Sequence, residues 1–233
     1  MNLWIAFTLT LILSFVWLRF IDYLAVKKII SKKLSRKIIH IGTGPIFVLS
    51  WLFFPEQPAS RYVAAIIPFL ITLQFFMIGI GVIKDQASVD AMSRNGDPKE
   101  ILKGPLLYGI VFVSLTILFW RDSTIGIIAL MVLSGGDGFA DVIGRRIPSA
   151  KLIWSPNKSI AGTTAMFLGG TIFSLLLVYI FIFQGFISAN FLDISLKIIL
   201  LNVIATIVES FPLQDWDNFT VPISVVLVGL LIV

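Results

Sequence analysis

The sequence predicts an all-α integral membrane protein, a bundle of about eight transmembrane helices (seven is the alternative count) in one domain over residues 1–233. Hydrophobic residues make up 58% of the chain and charged residues 13%, roughly half the usual charged fraction of a soluble domain. The mean hydropathy is +0.98. Lysine and arginine cluster between apolar segments, which favours membrane orientation over nucleic-acid binding as the cause of the +5 net charge.

Apolar segments that approach the length of a bilayer crossing, about 20 residues as a helix, recur along the whole chain. The eight predicted spans are Asn2–Ile21, Ile38–Phe54, Tyr62–Ile83, Pro105–Trp120, Ser123–Ile143, Ala161–Phe183, Leu192–Val208 and Phe219–Val233. The eighth is also compatible with a partial or re-entrant element.

The loops between these spans differ sharply in positive charge. Loops one, three and five carry 15 lysines and arginines, whereas loops two, four and six carry three. Because positive residues concentrate on the cytoplasmic side, we expect the odd-numbered loops in the cytoplasm and both termini on the opposite side. The residues from Met1 to Trp4 carry no positive charge, so the first span predicts a signal anchor rather than a cleaved signal peptide.

Residue usage excludes several kinds of site. The chain has no cysteine and one histidine. Disulfides, thiolate chemistry and cysteine-based zinc sites are therefore excluded, and a histidine-rich metal site is excluded as well.

The segment SGGDGFADVIGRR, residues 134–146, carries acidic side chains into the fifth span. Asp137 and Asp141 are four residues apart, so a helix places them on one face. Carboxylates within a span are costly and indicate function by default, and two of them suit Mg²⁺ bound together with substrate phosphates. Gly136 and its neighbouring glycines permit close approach of a phosphate, and Arg145 follows. The alternative is a helix-packing motif with a buried salt bridge.

A second candidate segment, WSPNKSIAGTTA, covers residues 154–165. Lys158 and Ser159 precede a span, with Gly162 and Thr163 near its start. Amides at a helix N-terminus favour anions, so this segment is a candidate phosphate cradle. It lacks the Walker A spacing, and the alternative is an ordinary capped helix with a topogenic lysine.

The end of the first loop, SRKIIHIGTG, places His40 four residues after Arg36 and three after Lys37. Topology alone accounts for most of this positive charge, and a structural histidine is the simpler interpretation. Loop three, SRNGDPKEILKGPLLYG, has the turn residues of a surface loop. Its Arg94 and Lys103 are candidates for phosphate contacts.

The seventh loop and its flanks, ESFPLQDWDNFTVP, are acidic on the side that we predict to be positive. Metal coordination is one explanation, with Glu209, Asp217 or Asn218 as the candidate that completes a metal site or orients a hydroxyl. Pairing with lysine and arginine from other loops is another, and a solvated acidic loop is the third.

Taken together, these segments resemble the phytol kinase branch of the polyprenol kinase family, in its plant-like or cyanobacterial form. The matching pieces are RKIIH, SRNGDPKEILKGPL, GGDGFADVIGRR, NKSIAGT and DNFTVP, which run in order from Arg36 to Pro222. The most specific part is the pair of aspartates followed by Gly144 and Arg145 and then by Lys158 and Ser159.

The resemblance implies a membrane-embedded kinase that transfers the γ-phosphoryl group of a nucleotide, usually CTP, with Mg²⁺. The implied acceptor is phytol, geranylgeraniol or farnesol. The phosphorylated product would then be used in the synthesis of tocopherol or chlorophyll. The implied site combines metal ligands, nucleotide contacts and groups at the reacting hydroxyl. The metal ligands are Asp137, Asp141 and Glu209; the catalytic set adds Lys158, Arg36, His40, Asp217 and Asn218; the nucleotide set is Gly136, Gly144, Arg145, Ser159, Gly162, Thr163, Lys37, Arg94 and Lys103.

Two other functions remain compatible with the sequence. A cytidylyltransferase acting on a lipid phosphate would also bind CTP and Mg²⁺ at acidic residues, but it would release pyrophosphate. A transporter would use the glycine-interrupted fifth span as an ion path. The concentration of Asp137, Lys158 and loop seven on one membrane face favours the enzyme.

Overall fold

The computed structural model describes residues 1–93, 95–213 and 216–233, without the side chains of Lys32, Asp90 and Ala91. The helices are α1 Leu3–Val26, α2 Lys32–Ser50, α3 Ala59–Gly79, α4 Gln86–Met92, α5 Gly104–Leu118, α6 Thr124–Met131, α7 Asp137–Arg146, α8 Ile160–Phe183, α9 Phe191–Ser210 and α10 Asp217–Ile232. Short 3₁₀ turns cover Trp51–Phe53 and Pro98–Leu102.

The prediction of an all-α polytopic membrane bundle is confirmed. In the described part of the chain, six stretches are long and apolar enough to cross a membrane. They are Leu3–Val26, Ala59–Gly79, Pro98–Leu118, Thr124–Arg146, Ile160–Phe183 and Phe191–Ser210. The other two predicted spans coincide with α2, which has a basic first half, and with α10, which has 16 residues.

Several helix boundaries differ from the predicted spans. α2 begins at Lys32, six residues before the second predicted span, so Arg36 and Lys37 lie on the same helix as His40 rather than in the first loop. Ser31 stabilises this early start, because its hydroxyl accepts a hydrogen bond from the amide of Leu34 at 3.2 Å. Asp217 and Asn218 likewise lie in the first turn of α10 rather than in loop seven.

A small β-hairpin is a further departure from the all-helical prediction. Strands β1 Lys151–Leu152 and β2 Ser155–Ser159 pair antiparallel between α7 and α8. The tip carries Ile153, which is 95% exposed. The hairpin matters for the site because its second strand carries Lys158.

The buried centre of the bundle is α6, all of whose residues are buried. Its uniformly apolar sequence suits this position, since a helix that is hydrophobic all round has no side for water. A π-helical segment, Val132–Gly136, joins α6 to α7. α8 packs against α7 and against the π-helical segment. α2 and α10 also contact the π-helical segment. Large apolar side chains on α1, α3, α8 and α9 remain exposed on the outside of the bundle, as expected for a lipid-facing surface.

Polar contacts concentrate at the two ends of the bundle, here called the Lys158 end and the Arg121 end. At the Lys158 end, β2 meets the end of α9 and the start of α10. At the Arg121 end, the buried guanidinium of Arg121 donates to the carbonyl of Phe54 at 2.5 Å and lies 4.1 Å from the ring of Phe186. The ends of the helices that carry the predicted site residues meet at the Lys158 end.

Candidate functional site

Lys158 occupies the centre of the charged cluster at the Lys158 end. Its ammonium forms an ion pair with Glu209 on α9 and lies 3.5 Å from a carboxylate oxygen of Asp217 on α10. Glu209 is only 4% exposed, so it depends on this lysine for charge compensation. The NKS segment and the end of α9, which the sequence placed on one membrane face, are in direct contact in the structure.

Lys158 is a fixed cation at this position. Burial opposes its charge, but the attraction of Glu209, joined by those of Asp217 and Asp137, outweighs burial and raises the pKa of Lys158 above its usual value. The ammonium therefore stays charged throughout the physiological pH range.

The two aspartates of α7 lie beside α2. A carboxylate oxygen of Asp137 is 3.3 Å from Nε2 of His40. Asp141 bridges two cations, with Lys37 at 2.9 Å from one oxygen and Nε of Arg145 at 2.6 Å from the other. The i, i+4 pair predicted from the sequence thus occupies one face of α7, turned toward the basic first turns of α2.

Close approach of α7 to α2 makes these contacts possible. A β-carbon added to Gly138 would collide with Ile41 and approach His40 within 3.3 Å, so only glycine allows this spacing. The π-helical segment immediately before Asp137 widens one turn of the backbone, and such segments are frequent at functional sites. The sequence SGG supplies the small residues for it, but its helical register was not predicted.

Asp137 connects the two parts of the cluster. It interacts electrostatically with Lys37 on one side and with Lys158, Glu209 and Asp217 on the other. Among the described side chains of this cluster, four carboxylates (Asp137, Asp141, Glu209, Asp217) face three permanent cations (Lys37, Arg145, Lys158). Four carboxylates in one cluster suit a bound divalent cation.

The predicted metal ligands are not gathered into one coordination shell. No group of three or more acidic or histidine side chains that could hold a metal is present among the described residues. Asp141 already binds Lys37 and Arg145 through both oxygens. Glu209 is better suited, since its Oε2 atom is buried and has no hydrogen-bond partner within the described residues.

A two-carboxylate site still fits Mg²⁺, which takes one or two protein carboxylates and completes its shell with water and phosphate oxygens. Asp137 and the orphaned oxygen of Glu209 are the donors that this arrangement leaves available. Metal binding by Asp137, Asp141 and Glu209 stays a prediction.

The backbone amides at the start of α8, which were expected to bind phosphate, already donate hydrogen bonds to protein atoms. The amide of Gly162 donates to the side chain of Ser159 at 3.2 Å, and the amide of Ala161 donates to Ser149 at 3.0 Å. The amide of Ile160 donates to the carbonyl of Ala150 at 3.0 Å. These amides therefore cannot bind a phosphate unless the protein contacts are exchanged. The hydroxyl of Thr163 is buried without a hydrogen-bond partner in the described chain.

Three glycines that were expected to contact nucleotide are used for helix packing. A β-carbon on Gly144 would lie 3.1 Å from the α-carbon of Gly162, so α7 and α8 cross at these two residues. One on Gly136 would lie 2.8 Å from the sulfur of Met166. These close contacts account for the three glycines by helix packing, and their contact with nucleotide stays a prediction.

The remaining predicted residues lie around the cluster. Arg36 on α2 donates to the carbonyl of Ser93 at 3.2 Å, and Lys103 directly precedes α5. Asn218 donates through Nδ2 to the carbonyl of Gly104 at 3.0 Å, which ties α10 to the start of α5. Arg94 lies outside the described residues.

Sequence analysis missed Tyr108 on α5. Its ring lies 4.6 Å from the ring of His40, and its hydroxyl is buried without a hydrogen-bond partner among the described residues. A buried tyrosine hydroxyl normally has a partner. A tyrosine inside an apolar span looks like a packing or interface residue, so the sequence contained no signal for this position.

Known relatives cover almost all of this chain. It is 39% identical over 216 residues to "Probable phytol kinase, chloroplastic" of Triticum aestivum, covering 92% of this chain and 72% of the relative. It is 40% identical over 217 residues to "Probable phytol kinase 1, chloroplastic" of Oryza sativa subsp. japonica, with 92% and 69% covered. It is 35% identical over 223 residues to "Phytol kinase 1, chloroplastic" of Arabidopsis thaliana, with 95% and 71% covered.

No family model matches the chain, and no solved structure matches it. The similarity to the plant proteins nevertheless covers 92% or more of this chain in each of these comparisons. The chain therefore belongs to the phytol kinase family.

Proposed function

We propose that this protein is a membrane-embedded kinase that transfers the γ-phosphoryl group of a nucleoside triphosphate to an isoprenoid alcohol. The observation that carries the proposal is the cluster in which Lys158 is held between Glu209 and Asp217 beside Asp137. The relatives named phytol kinase support phytol as the acceptor. Geranylgeraniol and farnesol present the same primary hydroxyl and are the alternative acceptors.

Phosphoryl transfer mainly requires positioning of the reactants and neutralisation of the charge on the transferred group. Lys158 supplies a permanent positive charge between two helices. Lys37 and Arg145, held on Asp141, supply two more at the same end of the bundle. A triphosphate bound here exchanges the carboxylate partners of these cations for its own oxygens, with Arg36 and Lys103 at the border of the site.

We propose CTP as the phosphoryl donor and Mg²⁺ as the metal ion. The resemblance to the polyprenol kinase family supports CTP, and the four carboxylates of the cluster support a divalent cation. Asp137 and Glu209 would hold the metal, with Asp141 as a third ligand if its cations move to the nucleotide. The metal, when bound, neutralises negative charge on the phosphate oxygens.

Side chains on α10 and α2 are available to orient the acceptor alcohol and to accept the proton of its hydroxyl. Asp217 lies next to Lys158 at the start of α10, where it can orient the hydroxyl and accept its proton. His40, whose Nε2 lies 3.3 Å from a carboxylate oxygen of Asp137, can bind a phosphate oxygen or serve as the base. Asn218 positions Asp217 through its hydrogen bond to Gly104.

The geometry also fits a reaction between a soluble and a lipid reactant. The cluster lies where helix ends meet, so a nucleotide approaches from water while the alcohol arrives from the bilayer. We propose that the Lys158 end faces the cytoplasm and that both termini lie on the opposite side. The uneven distribution of lysine and arginine supports this orientation.

Product analysis tests the proposal. Purified protein in detergent is incubated with radiolabelled CTP, ATP, GTP or UTP, with Mg²⁺ and with phytol, geranylgeraniol or farnesol. A kinase produces a nucleoside diphosphate and a prenyl monophosphate. Release of pyrophosphate from CTP with a lipid phosphate substrate would instead identify a cytidylyltransferase, and the absence of nucleotide turnover with every alcohol would contradict the proposal.

A further inference from the structure

An apolar groove runs between α5 and α10, with a volume of about 170 Å³. Ile110, Ser114 and Leu118 line it from α5, four residues apart. Phe219, Pro222 and Val226 line it from α10 with helical spacing of three and four residues. These spacings place each set of lining residues on one face of its helix, so that two apolar stripes border the groove.

The start of α10 adjoins the charged cluster, and the first groove residue on α10, Phe219, lies there. Asn218, immediately before the lining residue Phe219, is hydrogen-bonded to Gly104 at the start of α5. Asp217, one residue earlier, lies 3.5 Å from Lys158. Both helices run away from this point, and eight residues at 1.5 Å each give the α5 stripe a length of about 12 Å.

The chemistry of the lining selects a hydrocarbon. The groove contains no charged side chain among its described lining residues, and Ser114 is the one with a hydroxyl. Val226 and Ser114 are small, which leaves width for methyl branches. At the mouth, Pro222 has no amide hydrogen, so the carbonyl of Asn218 loses its usual donor four residues later in the helix. That carbonyl can accept a hydrogen bond from an alcohol.

We propose that this groove binds the isoprenoid tail of the acceptor alcohol, with the hydroxyl at Asn218 and Asp217 beside Lys158. The inference rests on the proposed kinase function. A polar carbonyl and an ion-pair cluster at one end, followed by an apolar channel, match a molecule with one terminal hydroxyl and a branched hydrocarbon tail. A bilayer acyl chain is the competing occupant, and its bulky ester headgroup would have to lie at the contact between Asn218 and Gly104.

A bulky residue deep in the groove tests the proposal through chain-length selectivity. Val226→Trp obstructs the part farthest from the cluster, so we expect kcat/KM for phytol to fall by about tenfold or more, while that for the shorter alcohol geraniol changes little. Leu227→Trp is the matched control, because Leu227 is the next residue and is 61% exposed outside the groove. An unchanged ratio of phytol to geraniol activity in a folded Val226→Trp protein would overturn the proposal.

Photolabelling of the unmodified protein gives a second measurement that does not require activity. A farnesol analogue with a diazirine at the tail end should label α5 or α10 close to Leu118 and Val226, and phytol should displace it. Labelling elsewhere, or equal displacement by phosphatidylcholine, would show that the groove does not select the alcohol. Specific labelling in a protein without kinase activity would retain the groove and reject the proposed reaction.

Discussion

Lys158 and Glu209 form an ion pair across 51 residues of sequence, between the second strand of the hairpin and the end of α9. The carboxylate is 4% exposed, and a buried charge that loses its partner is strongly destabilising. Removing either side chain should therefore lower the stability of the bundle and also change the charge of the site.

Replacing Lys158 with methionine should reduce stability as well as activity. Breaking a buried ion pair from one side costs about 3–5 kcal/mol, so we expect a clearly lower midpoint of thermal unfolding in detergent. Adding Glu209→Gln to Lys158→Met removes both charges and should recover part of the stability without activity. A double variant as unstable as the two single effects added together would show that the two side chains are not coupled.

The two aspartates of α7 should have different roles in metal dependence. Asp137→Asn removes a carboxylate that faces the centre of the cluster, and we expect turnover to fall by about a hundredfold or more and the Mg²⁺ concentration for half-maximal activity to rise. Asp141→Asn releases Lys37 and Arg145 instead. It should lower turnover and raise the Mg²⁺ requirement less than Asp137→Asn does.

Steady-state rates measured across a Mg²⁺ titration distinguish these outcomes. If both variants kept near wild-type activity at limiting Mg²⁺, the prediction that these aspartates bind Mg²⁺ would be wrong. Equal increases in the Mg²⁺ requirement would instead restore Asp141 as a metal ligand of the same rank as Asp137.

Tyr108→Phe should separate stability from catalysis. The hydroxyl is buried and unpaired within the described residues, so its removal should leave stability equal or slightly higher. If the hydroxyl binds substrate beside His40, turnover should fall about tenfold or more. Ser174→Ala is a matched control, because its hydroxyl is also buried without a partner in the described chain but lies within α8. Equal turnover in both variants would leave Tyr108 a packing residue.

Sequence reasoning recovered the membrane class and the order of the spans because both depend on local composition. The pairing of Asp137 and Asp141 on one face also follows from helical periodicity alone. The contact between Lys158 and Glu209 was only anticipated as a possibility, from an acidic loop on a positive face. Its partners are 51 residues apart, and no local pattern specifies which acid meets which base.

Two of the site predictions meet competing contacts in the structure, and each has a specific cause. The amides at the start of α8 were expected to bind phosphate, but Ser149 and Ser159 already accept their hydrogen bonds. Gly144 and Gly162 were assigned to nucleotide, although their lack of side chains serves the crossing of α7 and α8. In both cases the tertiary contact uses the same residue property that made the residue a candidate ligand.

Asp217 and Asn218 should affect different kinetic steps although they are adjacent. Asp217→Ala removes the second carboxylate near Lys158, and we expect turnover to fall about tenfold or more with little change in the KM for the alcohol. Asn218→Ala breaks the contact with Gly104 and should raise the KM for the alcohol, because this contact shapes the groove mouth. Asp193→Ala at the Arg121 end should change neither. Identical effects of the two neighbouring variants would show that they act as one structural unit.

The orientation in the membrane can be measured with single cysteines, because the chain contains none. Ile153→Cys places a thiol on the hairpin tip, where the native side chain is 95% exposed, and Leu192→Cys places one at the other end of the bundle, where the native side chain is 74% exposed. In right-side-out vesicles of cells that express the protein, a membrane-impermeant maleimide should label position 192 and reach position 153 only after the membrane is permeabilised. The reason is that the Lys158 end carries the loops rich in lysine and arginine, which remain on the cytoplasmic side during insertion. Labelling of position 153 in intact vesicles would invert the topology and place the nucleotide site on the outer face.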